Sequence, residues 1–193
     1  MILLPPLWEL PPEDLTCTDQ AIHLWLVRLD IAESQYRYLG DLLSPDEQQR
    51  AKKFTFDQHR ARFIAGRGFL RSILGKYLQM EPAQIRFQYN TWGKPALDPS
   101  LGINTFHFNL SHSNGLALFA FTQAGPIGVD IENIRPQTDI EQTGALVFSS
   151  SELAALQSLS PEIRRITFFQ FWTRKEAFMK AKGDGFSLPL REF

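Results

Sequence analysis

The sequence predicts an α+β protein built as two similar lobes in one chain. Three observations carry this. A short helix with a Ser-x-x-Glu start precedes a longer helix rich in Phe and basic residues at 44–78, and the same order returns at 149–182. Around those helices lie strand-like stretches, with two-residue alternation at 85–89 and 127–132, a short strand at 106–110 and an apolar run at 116–122. Finally, 193 residues with 44% hydrophobic and 12% aromatic content suffice for one good core or two small ones. The turn Gln123-Ala124-Gly125-Pro126 divides the chain into lobes at 1–123 and 124–193.

The bulk numbers exclude several classes. A formal net charge of −1 gives no general case for nucleic-acid binding. Cys17 is the only cysteine, so neither an internal disulfide nor a cysteine-based zinc site can form. The opening Met-Ile-Leu-Leu-Pro-Pro is too short and uncharged for a signal peptide, and no stretch reaches the ~20 apolar residues of a membrane span. A soluble, cytoplasmic protein is expected.

In order, residues 1–20 are proline-rich and read as an extended arm. Ala21–Asp30 carries apolar side chains toward both faces and reads as a buried strand. Ser44 suits a helix N-cap, Pro45 the first helical position, and Glu47 completes a capping box. That helix is expected to end near Lys53. A second helix is expected over Asp57–Leu78, with Phe63, Ile64, Phe69, Leu70, Ile73, Leu74 and Tyr77 in its core stripe and Ala65, Gly66 and Gly68 at a close approach. Between Arg50 and Lys76 stand eight Lys or Arg against one acid, Asp57. Such a run is either a solvated helix face or an anion site.

Ile85–Tyr89 alternates as a strand, and 90–95 makes a turn. Phe106–Leu110 reads as a short strand, 111–115 as a polar turn, and Leu116–Thr122 as its apolar partner. The segment 133–142 is polar and loop-like. Ser149 and Glu152 repeat the capping box ahead of a helix over Leu153–Leu159, and a long helix is expected over Ile163–Ala181, stopped by Gly183 and Gly185. Ser187–Leu190 is expected to be extended. About 45 residues follow the first helix pair and about ten the second, so the second lobe is expected to lack its last strands.

The chemistry concentrates in two stretches. Asp130 and Glu132 are two apart on the expected strand 127–132, so their carboxylates project together. Glu176 and Lys180 are four apart on the long helix and share a face, with Trp172 one turn earlier. Each feature alone has an ordinary reading: a solvent-facing carboxylate pair, a surface turn lysine at Lys94, a core tryptophan at Trp172. Ser111-His112 suggests nucleophilic catalysis, but adjacent strand residues point apart and no orienting carboxylate is identifiable. His112 suits a hydrogen-bond donor to a phosphate or carbonyl better. Together, Asp130, Glu132 and Glu176 offer only oxygen ligands, which favours Mg²⁺ over softer metals. Phosphates would then fall to basic side chains, because no phosphate-binding glycine loop is present.

Four ordered motifs, Trp-Gly-Lys-Pro-Ala-Leu (92–97), Phe-Asn-Leu-Ser-His-Ser (108–113), Gly-Val-Asp-Ile-Glu (128–132) and Phe-Trp-Thr-Arg-Lys-Glu-Ala-Phe-Met-Lys-Ala-Lys-Gly (171–183), resemble those of the 4′-phosphopantetheinyl transferases. The long, Sfp-type subfamily is the closer match, from about residue 21 to the last. The resemblance implies two α/β lobes related by a pseudo-two-fold axis, with the site between them. It also implies Mg²⁺-dependent transfer of the phosphopantetheine arm of coenzyme A to a serine of an acyl or peptidyl carrier protein, releasing adenosine 3′,5′-bisphosphate. By the family pattern Asp130, Glu132 and Glu176 hold the metal and Lys180 stabilises the leaving phosphate. Glu176, directly or through a metal-bound water, is the base. Ser111 and His112 bind coenzyme A phosphates and Lys94 lies near the nucleotide end. Arg62 best matches the family's 3′-phosphate arginine, with Arg67 as second choice. Members of the subfamily continue beyond the Ser-Leu-Pro-Leu segment at 187–190.

The resemblance also implies docking of an acidic carrier protein, for which Arg164 and Arg174 beside Ile140, Leu146, Val147 and Phe148 are the candidate surface, and a monomer. Two rival readings remain: a Mg²⁺-dependent pyrophosphatase acting on coenzyme A or nucleotides, and a non-enzymatic coenzyme A or carrier-binding module.

Overall fold

The computed structural model describes residues 8–13, 15–183, 185 and 189–193. Its class is α+β. Part of the expected N-terminal arm lies outside the described residues, and the described remainder up to Gln20 holds no helix or strand.

A three-stranded antiparallel sheet, ordered β1-β5-β4, is built from the part of the chain before residue 123, with β1 at Ile22–Arg28, β4 at His107–Ser113 and β5 at Leu116–Thr122. Helix α1 spans Glu33–Asp41, α2 Pro45–Lys52 and α3 Asp57–Leu78. Leu70, Ile73 and Leu74 of α3 meet Phe108, Phe119 and Phe121 of the sheet in the main core. Tyr77 adds ring contacts with Phe106 and Phe121 and accepts a 3.0 Å hydrogen bond from the indole of Trp25.

β1 is less buried than its sequence implies. It is an edge strand with only one face on α3, which leaves Ile22 62% and Leu24 48% exposed. Helix α1 is absent from the sequence reading: it is polar and buries only Leu39. It nevertheless explains a glycine. A Cβ on Gly68 of α3 would stand 2.8 Å from the carbonyl oxygen of Leu39, so the two helices touch there through backbone. Gly66 is under no such constraint.

The first capping box forms as expected, with the Ser44 amide donating to Glu47 at 3.1 Å. Glu47 does more than cap. Its carboxylate, 2% exposed, takes Arg67 Nε at 2.7 Å and Arg71 Nε at 2.6 Å, and Arg71 also donates to the carbonyls of Pro82 and Ile85. Three buried charges thus join α2, α3 and the connection that follows.

Strands β2 (Phe87–Tyr89) and β3 (Pro95–Leu97) pair as a separate hairpin around the turn at 90–94. β4 and β5 pair around Asn114-Gly115, both with positive φ (47° and 79°), the conformation of a two-residue hairpin turn. The expected polar turn at 111–115 therefore shrinks to two residues. Ser111 and His112 stand on β4 itself.

The expected strand at 127–132 does not form. The side chains of Asn109, Ser111 and Ser113, on one face of β4, stand between the two backbones and make the contacts instead. Asn109 Oδ1 accepts the Val129 amide at 2.9 Å, and Ser113 Oγ accepts the Asn133 amide at 3.0 Å.

After residue 123 the chain has helices α4 (Ile140–Val147), α5 (Ser150–Gln157) and α6 (Pro161–Lys182), and no strand among its described residues. Helix α4 replaces the end of the expected loop; Asp139 caps it by accepting the amides of Glu141 and Gln142. The second capping box is present at Ser149 and Glu152. Phe148, Leu156, Phe168 and Phe169 make a small core, on which Trp172 packs parallel to Phe168, consistent with a packing role. Of the expected extended segment 187–190, residues 187–188 lie outside the described residues, and Leu190–Glu192 is a 3-10 turn.

Candidate active site

Helix α6, strand β4 and the segment 127–132 meet along one side of a cleft of about 760 Å³. Gly128 sets how closely they meet. A Cβ there would lie 1.9 Å from the carbonyl oxygen of Ala177 and 2.4 Å from the amide of Ala181, so only glycine lets this backbone reach α6.

That approach brings the charged side chains together. Lys180 Nζ stands 2.6 Å from Asp130 Oδ1 and donates to Ser111 Oγ at 2.9 Å, while Ser111 Oγ donates to the same Asp130 oxygen at 2.7 Å. Asp130 is nearly enclosed, its side chain 3% exposed. Glu132 accepts from Ser113 Oγ at 3.1 Å. Glu176 joins them on the cleft wall. Burial pushes its carboxyl above the usual glutamate range; nearby Lys180 opposes this, and the Asp130 and Glu132 charges add to it.

Basic groups also line the cleft: Arg50, His59, Arg62 and Arg67, with exposed His112 next to Ser111 on β4. Arg62 gives its Nε and one Nη to Asp30, both at 2.8 Å. This partner holds the Asp30 carboxyl below the usual aspartate range. Arg67 is buried. Its charge is engaged by Glu47 and the Tyr89 hydroxyl, and its guanidinium lies over the Phe87 ring. Lys94 also lines the cleft, but its ammonium points into the α6 terminus, where it donates to the carbonyls of Ile127, Lys180 and Ala181. Burial lowers its pKa.

The expected convergence of three carboxylates is incomplete. Among the described residues no three His, Cys, Asp or Glu side chains stand close enough to hold an ion together, and the cation on Asp130 Oδ1 is Lys180. The donors still suit a hard divalent ion. All are oxygens, and the buried Asp130 Oδ2 has no hydrogen-bond partner, an acceptor that such an ion would satisfy.

The sequence reading missed Asp30, Asn109, His59 and Tyr89. Asn109 lay inside the motif at 108–113 and its role could be found there; Asp30 is 32 residues from Arg62 and carries no local signal.

Carboxylates, an ammonium and guanidinium groups lining one cleft are of the kind that suits phosphoryl chemistry, in which charge develops on both attacking and leaving oxygens. Comparison with known proteins narrows this class. Residues 30–123 match a family model described as 4′-phosphopantetheinyl transferase, N-terminal, and residues 126–193 match that of the 4′-phosphopantetheinyl transferase superfamily. The chain is 46% identical over 178 residues to the 4′-phosphopantetheinyl transferase HetI of a Nostoc species, covering 92% of this chain and 75% of HetI. It is 31% identical over 161 residues to the 4′-phosphopantetheinyl transferase Sfp of Bacillus subtilis, covering 83% of this chain and 69% of Sfp. The 4′-phosphopantetheinyl transferase gsp of Aneurinibacillus migulanus is 30% identical over 164 residues, covering 85% of this chain and 66% of gsp. The chain belongs to the 4′-phosphopantetheinyl transferase family, its Sfp-like relatives included.

Proposed function

We propose that this chain transfers the 4′-phosphopantetheine arm of coenzyme A to a serine hydroxyl of an acyl or peptidyl carrier protein and releases adenosine 3′,5′-bisphosphate. The observation that carries this reading is the Ser111–Asp130–Lys180 triangle beside the half-buried Glu176, in a cleft that arginines also line.

The carrier serine oxygen attacks the phosphorus that bears the pantetheine arm, and the bond from that phosphorus to the bridging pyrophosphate oxygen breaks. Glu176 takes the serine proton; burial raises its pKa, which makes the carboxylate a stronger base than a solvated glutamate. Lys180 donates to the departing phosphate oxygen, whose negative charge grows as the bond breaks. Asp130 and Ser111 fix that ammonium. Asp130, Glu132 and Glu176 would hold Mg²⁺, which neutralises pyrophosphate charge when bound. His112 and Ser111 bind coenzyme A phosphates. Arg62 receives the 3′-phosphate; Arg67, already committed to Glu47 and Tyr89, is the weaker candidate.

The same reading includes lobes at 1–123 and 124–193 related by a pseudo-two-fold axis. It also includes a cytoplasmic monomer whose carrier docks near Arg164, Arg174 and α4. No helix among the described residues is long and apolar enough to cross a membrane. The test is the intact mass of an apo-carrier protein incubated with coenzyme A, Mg²⁺ and this chain. A gain of one phosphopantetheine arm is expected. Adenosine bisphosphate released without that gain would replace the reading with a pyrophosphatase, and binding without either product would replace it with a binding module.

A further inference from the structure

We infer that Lys94 is a positioning residue that latches the C-terminal end of α6 to the β2–β3 turn, and so sets where the Lys180 ammonium stands. This deepens the transferase reading and rests on it. It also gives Lys94 work different from the coenzyme A contact expected at the nucleotide end.

An ammonium has three donors. Those of Lys94 meet three carbonyl oxygens: Ile127 at 3.2 Å, Ala181 at 3.2 Å, and Lys180. None is left for a phosphate. Two of the acceptors belong to the last turn of α6, where helix carbonyls lack intrahelical partners and the helix dipole favours a cation. The third immediately precedes Gly128, in the segment that carries Asp130. One side chain therefore ties together the two elements whose side chains make the Lys180–Asp130 pair. The coupling to Lys180 is direct. Its carbonyl accepts from Lys94 while its Nζ holds Ser111 and Asp130.

The turn around Lys94 is built to the same end. Asn90 Nδ2 donates to the Gly183 carbonyl at 2.8 Å, so a second side chain of this turn caps α6. Asn90 Oδ1 accepts the amides of Trp92 at 3.0 Å and Lys94 at 2.8 Å, which fixes the turn that presents the ammonium. Gly183 closes the helix with a φ of 80° and donates to the Met179 carbonyl at 2.9 Å. Lys94 is half-buried, and burial depresses its pKa, a cost that its three hydrogen bonds offset.

The variant Lys94→Met keeps the stem and removes the donors. With coenzyme A, Mg²⁺ and apo-carrier, kcat is expected to fall about 100-fold, the effect of a catalytic group displaced by about 1 Å, with KM for coenzyme A changed less than about threefold. Binding of adenosine 3′,5′-bisphosphate, followed by calorimetry, is expected to stay within the same roughly threefold range. Amide exchange at residues 179–183 is expected to quicken by about tenfold with α3 unchanged. If KM and the bisphosphate dissociation constant instead rise about tenfold while exchange at 179–183 stays as in the wild type, Lys94 is a nucleotide contact and the latch is overturned. Should Lys94→Met not fold, Asn90→Ala carries the test, with the same pattern expected at smaller amplitude. If the wild-type chain transfers no arm to any carrier, the transferase reading fails, while the exchange measurement still decides the latch.

Discussion

Replacing Gly128 with alanine is expected to damage the site from a residue with no side chain in it. The new Cβ would stand 1.9 Å from the Ala177 carbonyl oxygen and 2.4 Å from the Ala181 amide, where real Cβ contacts essentially never fall below 3.0 Å. The segment must therefore withdraw from α6 by more than 1 Å, because both clashing atoms are backbone and no rotamer change relieves them. Such overpacking costs ~1–3 kcal/mol, and more where neither element can yield. Asp130, two residues on, pairs with Lys180 across this contact at 2.6 Å, so the displacement opens the pair. A misplacement of about 1 Å in catalytic geometry lowers turnover by about 100-fold. The assays are urea unfolding followed by circular dichroism, and single-turnover loading of apo-carrier at saturating coenzyme A and Mg²⁺. Gly66→Ala is the control: its Cβ would meet only the Leu29 side chain, at 3.7 Å, and removing a helix-interior glycine is expected to stabilise by up to ~1 kcal/mol. If Gly128→Ala unfolds at the wild-type urea concentration and loads the carrier at an unaltered rate, the close approach does not set the site.

Glu47→Ala leaves Arg67 and Arg71 as buried cations facing each other and removes the capping box, so a loss of ~3–5 kcal/mol is expected in urea unfolding, with partial recovery in Glu47→Ala/Arg71→Ala. A loss below ~1 kcal/mol would mean the triad is solvated. Lys180→Ala is expected to lower kcat by about 100-fold or more with coenzyme A affinity little changed; a pure affinity defect would remove its leaving-group role. Asp130→Ala and Glu176→Ala are expected to abolish loading while circular dichroism stays native; near wild-type turnover at saturating Mg²⁺ in either would sink the metal assignment. The Asp30–Arg62 pair makes a pH-dependent contribution to stability. Because the folded Asp30 carboxyl lies below its unfolded value, that contribution is fully present above the ordinary aspartate pKa of about 3.9 and is lost as pH falls through the lowered folded value. The difference in thermal midpoint between wild type and Arg62→Met is therefore expected to shrink on acidification; a constant difference would show that the pair does not contribute.

Where structure is decided within one or two helical turns, it could be read from the sequence. Both Ser-x-x-Glu capping boxes form at Ser44 and Ser149, and the long helices fall where spacing and the stop at Gly183 put them. α3 runs over Asp57–Leu78 as read. Asn114-Gly115 makes its hairpin turn because positive φ at both positions is a local requirement. The readings failed where burial replaces local pattern. α1 has almost no apolar face and buries only Leu39, against Gly68. The alternation at 127–132 is genuine, but side chains of β4 occupy the place where a ladder would run.

The site divides in the same way. The sequence by itself named the candidates: Asp130, Glu132, Glu176 and Lys180, with Ser111 and His112, by residue type and spacing and by the motifs that hold them. Tertiary structure decided what each cation does, because the partners lie far away in the chain. Arg67 and Arg71 meet Glu47 from 20 and 24 residues off, and Arg62 meets Asp30 from 32. Lys94 turns to carbonyls up to 87 residues away. A lysine or arginine bears the same charge in every context. Whether it faces a phosphate, a carboxylate or the end of a helix depends on which distant backbone folds against it, and no local spacing encodes that choice.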